Sequence, residues 1–226
     1  MIRLMKLEFI KVGFKKYVMF SMAGILISMF FLFVALNDSS TTKSGYETAF
    51  TTVEMIFCMY YIPLFSVLVS SYIINEYTHK TILVMFSYPI NRKKLIAAKL
   101  LLITLLVMFS MVIGYICCGA FIIMADKYWG LINDEFALSV LSRWISAALK
   151  SIITFCALGI GTFVAGMIKK SVSMTIISAI LLCYIRQFYI AGMNLHEENW
   201  PFVIGVTALT MTGVYYTLTH KIEQVD

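Results

Sequence analysis

The chain has 226 residues, of which 61% are hydrophobic and only 13% charged, and its mean hydropathy is +0.88. Soluble domains average about half apolar and a quarter charged, so this composition excludes a soluble protein. The formal net charge of +6 does not indicate nucleic-acid binding, because the basic residues lie in short segments beside apolar runs and no nucleic-acid motif is present. We expect an all-α polytopic membrane protein, with residues 1–226 forming one transmembrane domain.

Six apolar runs are long enough to cross a bilayer, for which a helix needs about 20 residues. The predicted spans are Tyr17–Leu36, Thr51–Ile74, Ala97–Ala125, Ser151–Ile168, Ser171–Ile190 and Pro201–Leu218. Residues 139–150, just before the fourth span, have the pattern of a short amphipathic helix on the membrane surface.

The N-terminal residues 1–16 carry too many charges to span. Ile2, Met5, Phe9 and Val12 recur at helical spacing, which favours an interfacial helix lying on the membrane. The alternative is a basic tail that only helps to orient the chain.

Lys and Arg predict the orientation, since cytoplasmic loops carry the excess of positive charge. If the N-terminus is cytoplasmic, most basic residues lie inside and only five lie outside: Lys43, Lys127, Arg143, Lys150 and Arg186. We therefore expect a multi-pass protein of the cell membrane with both termini in the cytoplasm.

The five cysteines all lie in apolar runs, where thiols usually pack as small hydrophobic groups. We expect no disulfide, no metal and no cofactor bound by this chain, since no His, Asp or Glu cluster has metal-ligand spacing. The phosphate-binding pattern G-x-x-x-x-G-K-[ST] is absent, so the chain has no visible means of hydrolysing ATP.

The most polar stretch in the middle of the chain is "NEYTHKTILVMFSYPINRKKLIAAK". Its first part, 78–86, has the pattern of a short helix with one apolar side. Pro89 would end that helix, and Asn91 would cap the next. We call residues 75–95 the elbow. Exposed apolar surface tends to mark an interface, so the elbow is predicted to have a protein partner.

The elbow resembles that of the membrane subunit of type 2 ABC exporters. The resemblance rests on an acidic residue and a tyrosine after the second span, then Thr, Pro-x-x-Arg and a downstream Lys: Glu76, Tyr77, Thr81, Pro89, Arg92 and Lys99. Six spans, a basic interfacial N-terminal helix and cytoplasmic termini are also features of that family.

The resemblance implies that the elbow is a cytoplasmic coupling helix that docks on a separate ATPase. The residues then expected at that contact are Glu76, Tyr77, His79, Lys80 and Thr81, with Pro89 and Arg92 fixing its shape. Pairing of Glu76 with Arg92, or contact with lipid head groups, is the structural alternative. ATP and Mg would be bound by the partner, in two copies, and a second permease would complete the transporter as a homodimer or a pair with a similar subunit.

Two charges within the spans are candidates for a substrate path. Glu54 lies in the second span, where a charge is costly and often functional; it could also snorkel to the head groups. Arg186 could receive an acidic substrate group, pair with Glu54 or Glu198, or snorkel. Its position also predicts that the fifth span breaks there, with 187–192 forming a re-entrant segment.

Small residues recur every four positions in the fourth span, at Ala157, Gly161 and Ala165. This spacing lets helices approach closely, so these positions are predicted to serve helix packing.

We therefore expect the non-catalytic permease subunit of an ATP-driven exporter for an amphipathic or hydrophobic substrate. An antimicrobial peptide, exported for resistance or self-immunity, is the class that the family's small members suggest. The alternatives are an integral membrane enzyme, and a sensor or assembly partner without transport activity.

Overall fold

The six predicted spans are all present as helices. A computed structural model of the chain describes residues 14–36, 45–75, 92–129, 138–193 and 198–221. In chain order the helices are α1 Phe14–Leu36, α2 Gly45–Val69, α3 Arg92–Trp129, α4 Leu138–Lys169, α5 Val172–Gly192 and α6 Trp200–Tyr216. Each contains an apolar segment that could cross a bilayer. The all-α, six-span prediction is confirmed, as expected where every backbone polar group must be satisfied without water.

Two helices end in a π-helical turn. α2 continues through Ser70–Ile74, and α6 continues through Thr217–Lys221. Both turns lie at the end of the bundle where α1, α3 and α5 begin, which we call the elbow end. The opposite end, where α1, α3 and α5 finish, is called the Arg186 end.

Helix α4 is the centre of the bundle. In its most apolar segment 67% of the residues are buried, whereas the corresponding value is 17% for α6 and 22% for α1. α4 packs against α2, α3, α5 and α6. The peripheral helices α1 and α6 turn most of their apolar side chains outward, as expected for a protein surrounded by lipid.

Two predictions about helix continuity are wrong. α5 runs unbroken past Arg186 to Gly192, so no re-entrant segment forms at 187–192. Its 21 residues make about 31 Å of helix, close to the ~30 Å of a bilayer core. α4 begins at Leu138 and absorbs the predicted surface helix 139–150 into one helix of 32 residues. α5 continues because Arg186, which suggested the break, finds Glu54 and Glu198 as partners inside the bundle.

Several predictions fall on residues that the structure does not describe. The interfacial helix predicted at 1–16 lies outside the described residues, except for 14–16 at the start of α1. The central part of the elbow, 76–91, also lies outside them. The helices on both sides of the elbow are described. Between them, Nζ of Lys99 donates to the carbonyl oxygen of Tyr72 at 3.4 Å. This contact joins the start of α3 to the π-helical turn of α2.

Candidate functional site

Arg186 lies inside the bundle and pairs with two carboxylates. It is 1% exposed. Its Nε donates to Oε1 of Glu198 at 2.6 Å, and its Nη2 lies 3.5 Å from Oε2 of Glu54. The sequence left pairing and snorkelling open for Arg186, and the structure shows pairing with both acids. Glu54 is also buried, at 5% exposed, so it does not snorkel either.

The central helix supplies two further contacts to this ion pair. The hydroxyl of Thr154 in α4 donates to Oε2 of Glu198 in a short hydrogen bond. The guanidinium carbon of Arg186 lies 4.7 Å from the centre of the Phe155 ring. In a desolvated site such a cation–π contact is worth up to about 2 kcal/mol. We name Glu54, Thr154, Phe155, Arg186 and Glu198 the Arg186 cluster.

The Arg186 cluster connects four parts of the fold. Glu54 belongs to α2, Thr154 and Phe155 to α4, and Arg186 to α5, while Glu198 stands just before α6. Buried ions lose several kcal/mol of solvation each, which only close pairing and hydrogen bonding repay. Separating these helices at the Arg186 end would therefore expose or strand a charge.

The charges of the cluster do not balance when both acids are ionised, since one guanidinium faces two carboxylates. In addition, Nη1 and Nη2 of Arg186 are buried and make no hydrogen bond within the described part of the chain. The cluster thus retains donor capacity that the described residues do not use.

Thiols line the α2–α5 contact beside the cluster. The Cys183 thiol donates to the carbonyl oxygen of Cys58 at 3.3 Å, and both residues are buried. The five cysteines are free thiols. Within the described ranges, no group of three or more His, Cys, Asp or Glu side chains could hold a metal ion.

Most of the predicted ATPase contact cannot be placed. Glu76, Tyr77, His79, Lys80, Thr81 and Pro89 lie outside the described residues. Arg92 is the first residue of α3, but its side chain is not described. The contact therefore stays a prediction, and the structure shows only that the elbow joins the ends of α2 and α3 at one end of the bundle.

The small residues of α4 predicted to serve packing differ in exposure. Ala157 is buried, whereas Gly161 and Ala165 line a groove between α4, α5 and α6. The tightest approaches involve other glycines. A Cβ on Gly159 would lie 2.5 Å from Cγ of Phe65, and one on Gly166 would lie 2.4 Å from Oγ1 of Thr175.

Sequence reasoning missed part of the cluster. Thr154 and Phe155 were not candidates, because a threonine and a phenylalanine in an apolar run carry no signal of their own. Glu198 was considered only as a possible partner in an outer loop. One signal in the sequence could have indicated Glu198. A buried arginine needs a carboxylate partner, and Glu198 lies just before the helix that starts near Pro201.

The family of the chain follows from comparison with known proteins. A family model described as ABC-2 family transporter protein matches residues 4–186, which includes the elbow, the first four helices and α5 as far as Arg186. The uncharacterized protein YcbO of Bacillus subtilis (strain 168) is 28% identical over 165 residues, covering 71% of this chain and 72% of YcbO. No solved structure gives a significant match. Members of this family are membrane subunits that work with an ATP-binding subunit. The chain thus belongs to the ABC-2 transporter family, as the permease subunit of an ABC transporter.

Proposed function

We propose that this permease exports an amphipathic or hydrophobic substrate from the cell or its membrane, and that antimicrobial peptides are the first class to test. The observation that carries the proposal is the family match, which extends over the elbow, four of the six helices and most of α5. Export is supported by the resemblance of the elbow to that of type 2 exporters, and the peptide class is the one that the family's small members suggest. The apolar outer faces of the helices suit a substrate that arrives through the bilayer.

In this proposal two ATP-binding subunits drive two permeases. Each ATPase docks on one elbow through Glu76, Tyr77, His79, Lys80 and Thr81, while Pro89 and Arg92 hold the shape of the elbow. The ATPase binds ATP and Mg, because this chain has no phosphate-binding loop. Lys99 and Tyr72 would pass the movement of the elbow into α2 and α3, since they join those helices beside it.

The Arg186 cluster has a defined part in this proposal. It holds α2, α4, α5 and the start of α6 together at the Arg186 end, opposite the elbow. ATP-driven movement of the elbow would act on a bundle whose opposite end, the Arg186 end, is closed by buried charges. Opening a path outward would then require Arg186, Glu54 or Glu198 to exchange partners with water or with substrate.

The orientation is tested with two single cysteines, Ser87→Cys in the elbow and Ser40→Cys in the segment 37–44. In inside-out vesicles a membrane-impermeant thiol reagent should label the elbow position but not the other. In intact cells the reagent should label Ser40→Cys but not Ser87→Cys. The parent chain provides the background, since four of its five cysteines are buried. Labelling of Ser87→Cys from outside would refute a cytoplasmic elbow.

The ATPase contact is tested by co-purification of the ATP-binding subunit with the permease from native membranes. The double variant Glu76→Ala/Tyr77→Ala should lose most of the ATPase. The control is Glu47→Ala/Tyr128→Ala, which removes the same two residue types from exposed positions at the Arg186 end. Equal retention of the ATPase by both variants would refute the proposed contact.

Transport is tested with inside-out vesicles that contain permease and ATPase. A fluorescent amphipathic peptide should accumulate in the vesicles with ATP, and not with a non-hydrolysable analogue. Accumulation independent of nucleotide would refute an ATP-driven exporter, whereas failure with peptides but success with another amphipathic compound would refute only the peptide assignment.

A further inference from the structure

The members of the Arg186 cluster fall on two sides of a boundary in the bundle. Thr154, Phe155, Arg186 and Glu198 belong to α4, α5 and the segment just before α6. Glu54 belongs to α2, whose π-helical turn leads directly into the elbow. Since α4 packs against both α5 and α6, the first four members lie in one group of helices. Movement of the elbow therefore reaches Glu54 along its own helix, whereas it reaches the other members only through packing contacts.

The contacts of Arg186 differ across this boundary. On its own side, Nε donates to Oε1 of Glu198 at 2.6 Å, and the ring of Phe155 lies 4.7 Å from the guanidinium carbon. Glu198 also accepts a short hydrogen bond from Thr154. Across the boundary, Nη2 lies 3.5 Å from Oε2 of Glu54. Separation of α2 from the other helices would therefore break the longer contact and leave Arg186 paired with Glu198.

That separation divides the charges unequally. Arg186 and Glu198 stay together as one cation and one anion, while Glu54 moves away from the guanidinium. Lys150 is also buried, but it belongs to α4 and moves with that helix. A carboxylate in a poorly solvated site is strongly disfavoured unless a cation pairs with it. The opened path thus presents a carboxylate that attracts a positive group of the substrate and repels a negative one.

Aromatic rings flank Glu54 on the same face of α2. Phe50 lies one turn nearer the Arg186 end, Phe57 lies one turn nearer the elbow end, and both are buried. The Phe50 ring stacks on Trp144 of α4 with 4.7 Å between centroids, and the Phe57 ring lies 4.7 Å from that of Tyr115 in α3. Movement of α2 away from α4 would open the first of these stacks. Aromatic rings beside a carboxylate suit an organic cation, because ring faces attract positive charge and also cover apolar surface.

From these observations we propose that the exported substrate is an organic cation with an apolar body, and that Glu54 is the residue that selects it. In the opened permease the positive group of the substrate takes the place of Arg186 beside Glu54, between the rings of Phe50 and Phe57. This inference rests on the proposed export function and adds the charge of the substrate and the residue that recognises it.

Transport selectivity tests the inference in inside-out vesicles that contain permease and ATPase, with the membrane potential collapsed. Three amphipathic compounds share one alkyl chain and one neutral dye, and they carry a quaternary ammonium, a hydroxyl or a sulfonate group. ATP-dependent accumulation of the cation should exceed that of the neutral compound roughly tenfold, which corresponds to about 1.4 kcal/mol. The anion should accumulate least.

The outcomes separate this inference from the function on which it rests. ATP-dependent accumulation of the three compounds to equal extents would overturn the selection of a cation and leave export standing. Absence of ATP-dependent accumulation for all three, together with the peptides of the earlier assay, would refute the export function itself and this inference with it.

Variants of Glu54 test its role as the selecting residue. Glu54→Gln should bring accumulation of the cation to within about twofold of the neutral compound, and the fold should tolerate it because Arg186 keeps Glu198. Glu54→Asp retains the carboxylate and should retain most of the preference. The matched control is Glu47→Gln, which removes an acid from an exposed position of the same helix and should leave the preference intact. A preference that persists in Glu54→Gln, or disappears equally in Glu47→Gln, would exclude Glu54 as the selecting residue.

The release of Glu54 from Arg186 is measured in the complex of permease and ATPase in nanodiscs. A thiol at this buried position, in Glu54→Cys, should react with a small cationic methanethiosulfonate several-fold faster during ATP hydrolysis than without nucleotide, because α2 then leaves its partners. The parent chain provides the background from its own cysteines. If the rate does not rise in a complex that hydrolyses ATP and transports, Glu54 stays in the closed cluster and the inference is wrong.

Discussion

Arg186 in α5 and Glu198, twelve residues later and just before α6, form a buried ion pair with 2.6 Å between Nε and Oε1. The chain leaves α5, turns, and returns to the same arginine before α6 begins. The pair therefore closes the α5–α6 connection at the Arg186 end, and the contacts with Thr154, Phe155 and Glu54 fix that connection to the rest of the bundle.

Arg186→Met should strongly destabilise the permease, because two carboxylates would remain buried without a cation. We expect the free energy of unfolding to fall by about 3–5 kcal/mol, measured by denaturant titration in mixed micelles. The control is Arg143→Met, which removes an arginine that pairs with Glu47 at an exposed site. That change should cost less than about 1 kcal/mol.

The same experiment includes a rescue. Adding Glu54→Gln and Glu198→Gln to Arg186→Met removes the stranded charges, so part of the lost stability should return. If the triple variant is no more stable than Arg186→Met, the loss comes from packing of the arginine and not from uncompensated charge.

Glu198 should contribute more to the free energy of unfolding than Glu54. Glu198 accepts close hydrogen bonds from both Arg186 and Thr154, and its replacement by Gln should cost about 1.5–3 kcal/mol. Glu54 lies 3.5 Å from the guanidinium, and Glu54→Gln leaves one cation facing one anion. We therefore expect Glu54→Gln to change the free energy of unfolding by less than about 1 kcal/mol in either direction. A larger loss for Glu54→Gln than for Glu198→Gln would contradict this assignment.

The contribution of the cation–π contact can be separated from that of apolar burial. Phe155 and Phe163 are both 0% exposed and lie in the same helix, but only Phe155 faces the guanidinium of Arg186. Phe155→Leu should therefore cost about 1–2 kcal/mol more than Phe163→Leu. Equal losses in the two variants would show that the ring acts only by filling space.

The sequence predicts the spans of this structure better than it predicts the Arg186 cluster. The six spans could be predicted because each apolar run is set by its own composition, as in Tyr17–Leu36, which matches the span found in α1. The break at Arg186 was predicted because the helix from Ser171 to this charge is only about 22 Å long, which is short of the ~30 Å bilayer core. It does not occur, because Glu198 and Glu54 approach that arginine from other parts of the chain. A contact across twelve or more residues depends on how helices meet, and spacing within one helix cannot reveal it.

The small residues of α4 illustrate the same limit. Small residues that recur every four positions predicted close helix packing at Ala157, Gly161 and Ala165, because small side chains let helices approach each other. Which small residue meets a large side chain depends on the neighbouring helix, and Phe65 of α2 lies opposite Gly159. The pattern thus indicated the helix but not the position of closest approach.

Alanine substitutions at Gly159 and Gly161 separate these positions. A Cβ on Gly159 would lie 2.5 Å from Cγ of Phe65, whereas one on Gly161 would meet Thr210 and Leu182 at 3.4 and 3.5 Å. Gly159→Ala should therefore lower the free energy of unfolding by about 1–3 kcal/mol through overpacking. Gly161→Ala should leave it unchanged or raise it by up to about 1 kcal/mol, because alanine is the better helix former. Denaturant titration measures both. Adding Phe65→Leu should recover part of the stability lost in Gly159→Ala but give none to Gly161→Ala, and recovery in neither background would mean that the Gly159–Phe65 contact does not limit the packing of α2 on α4.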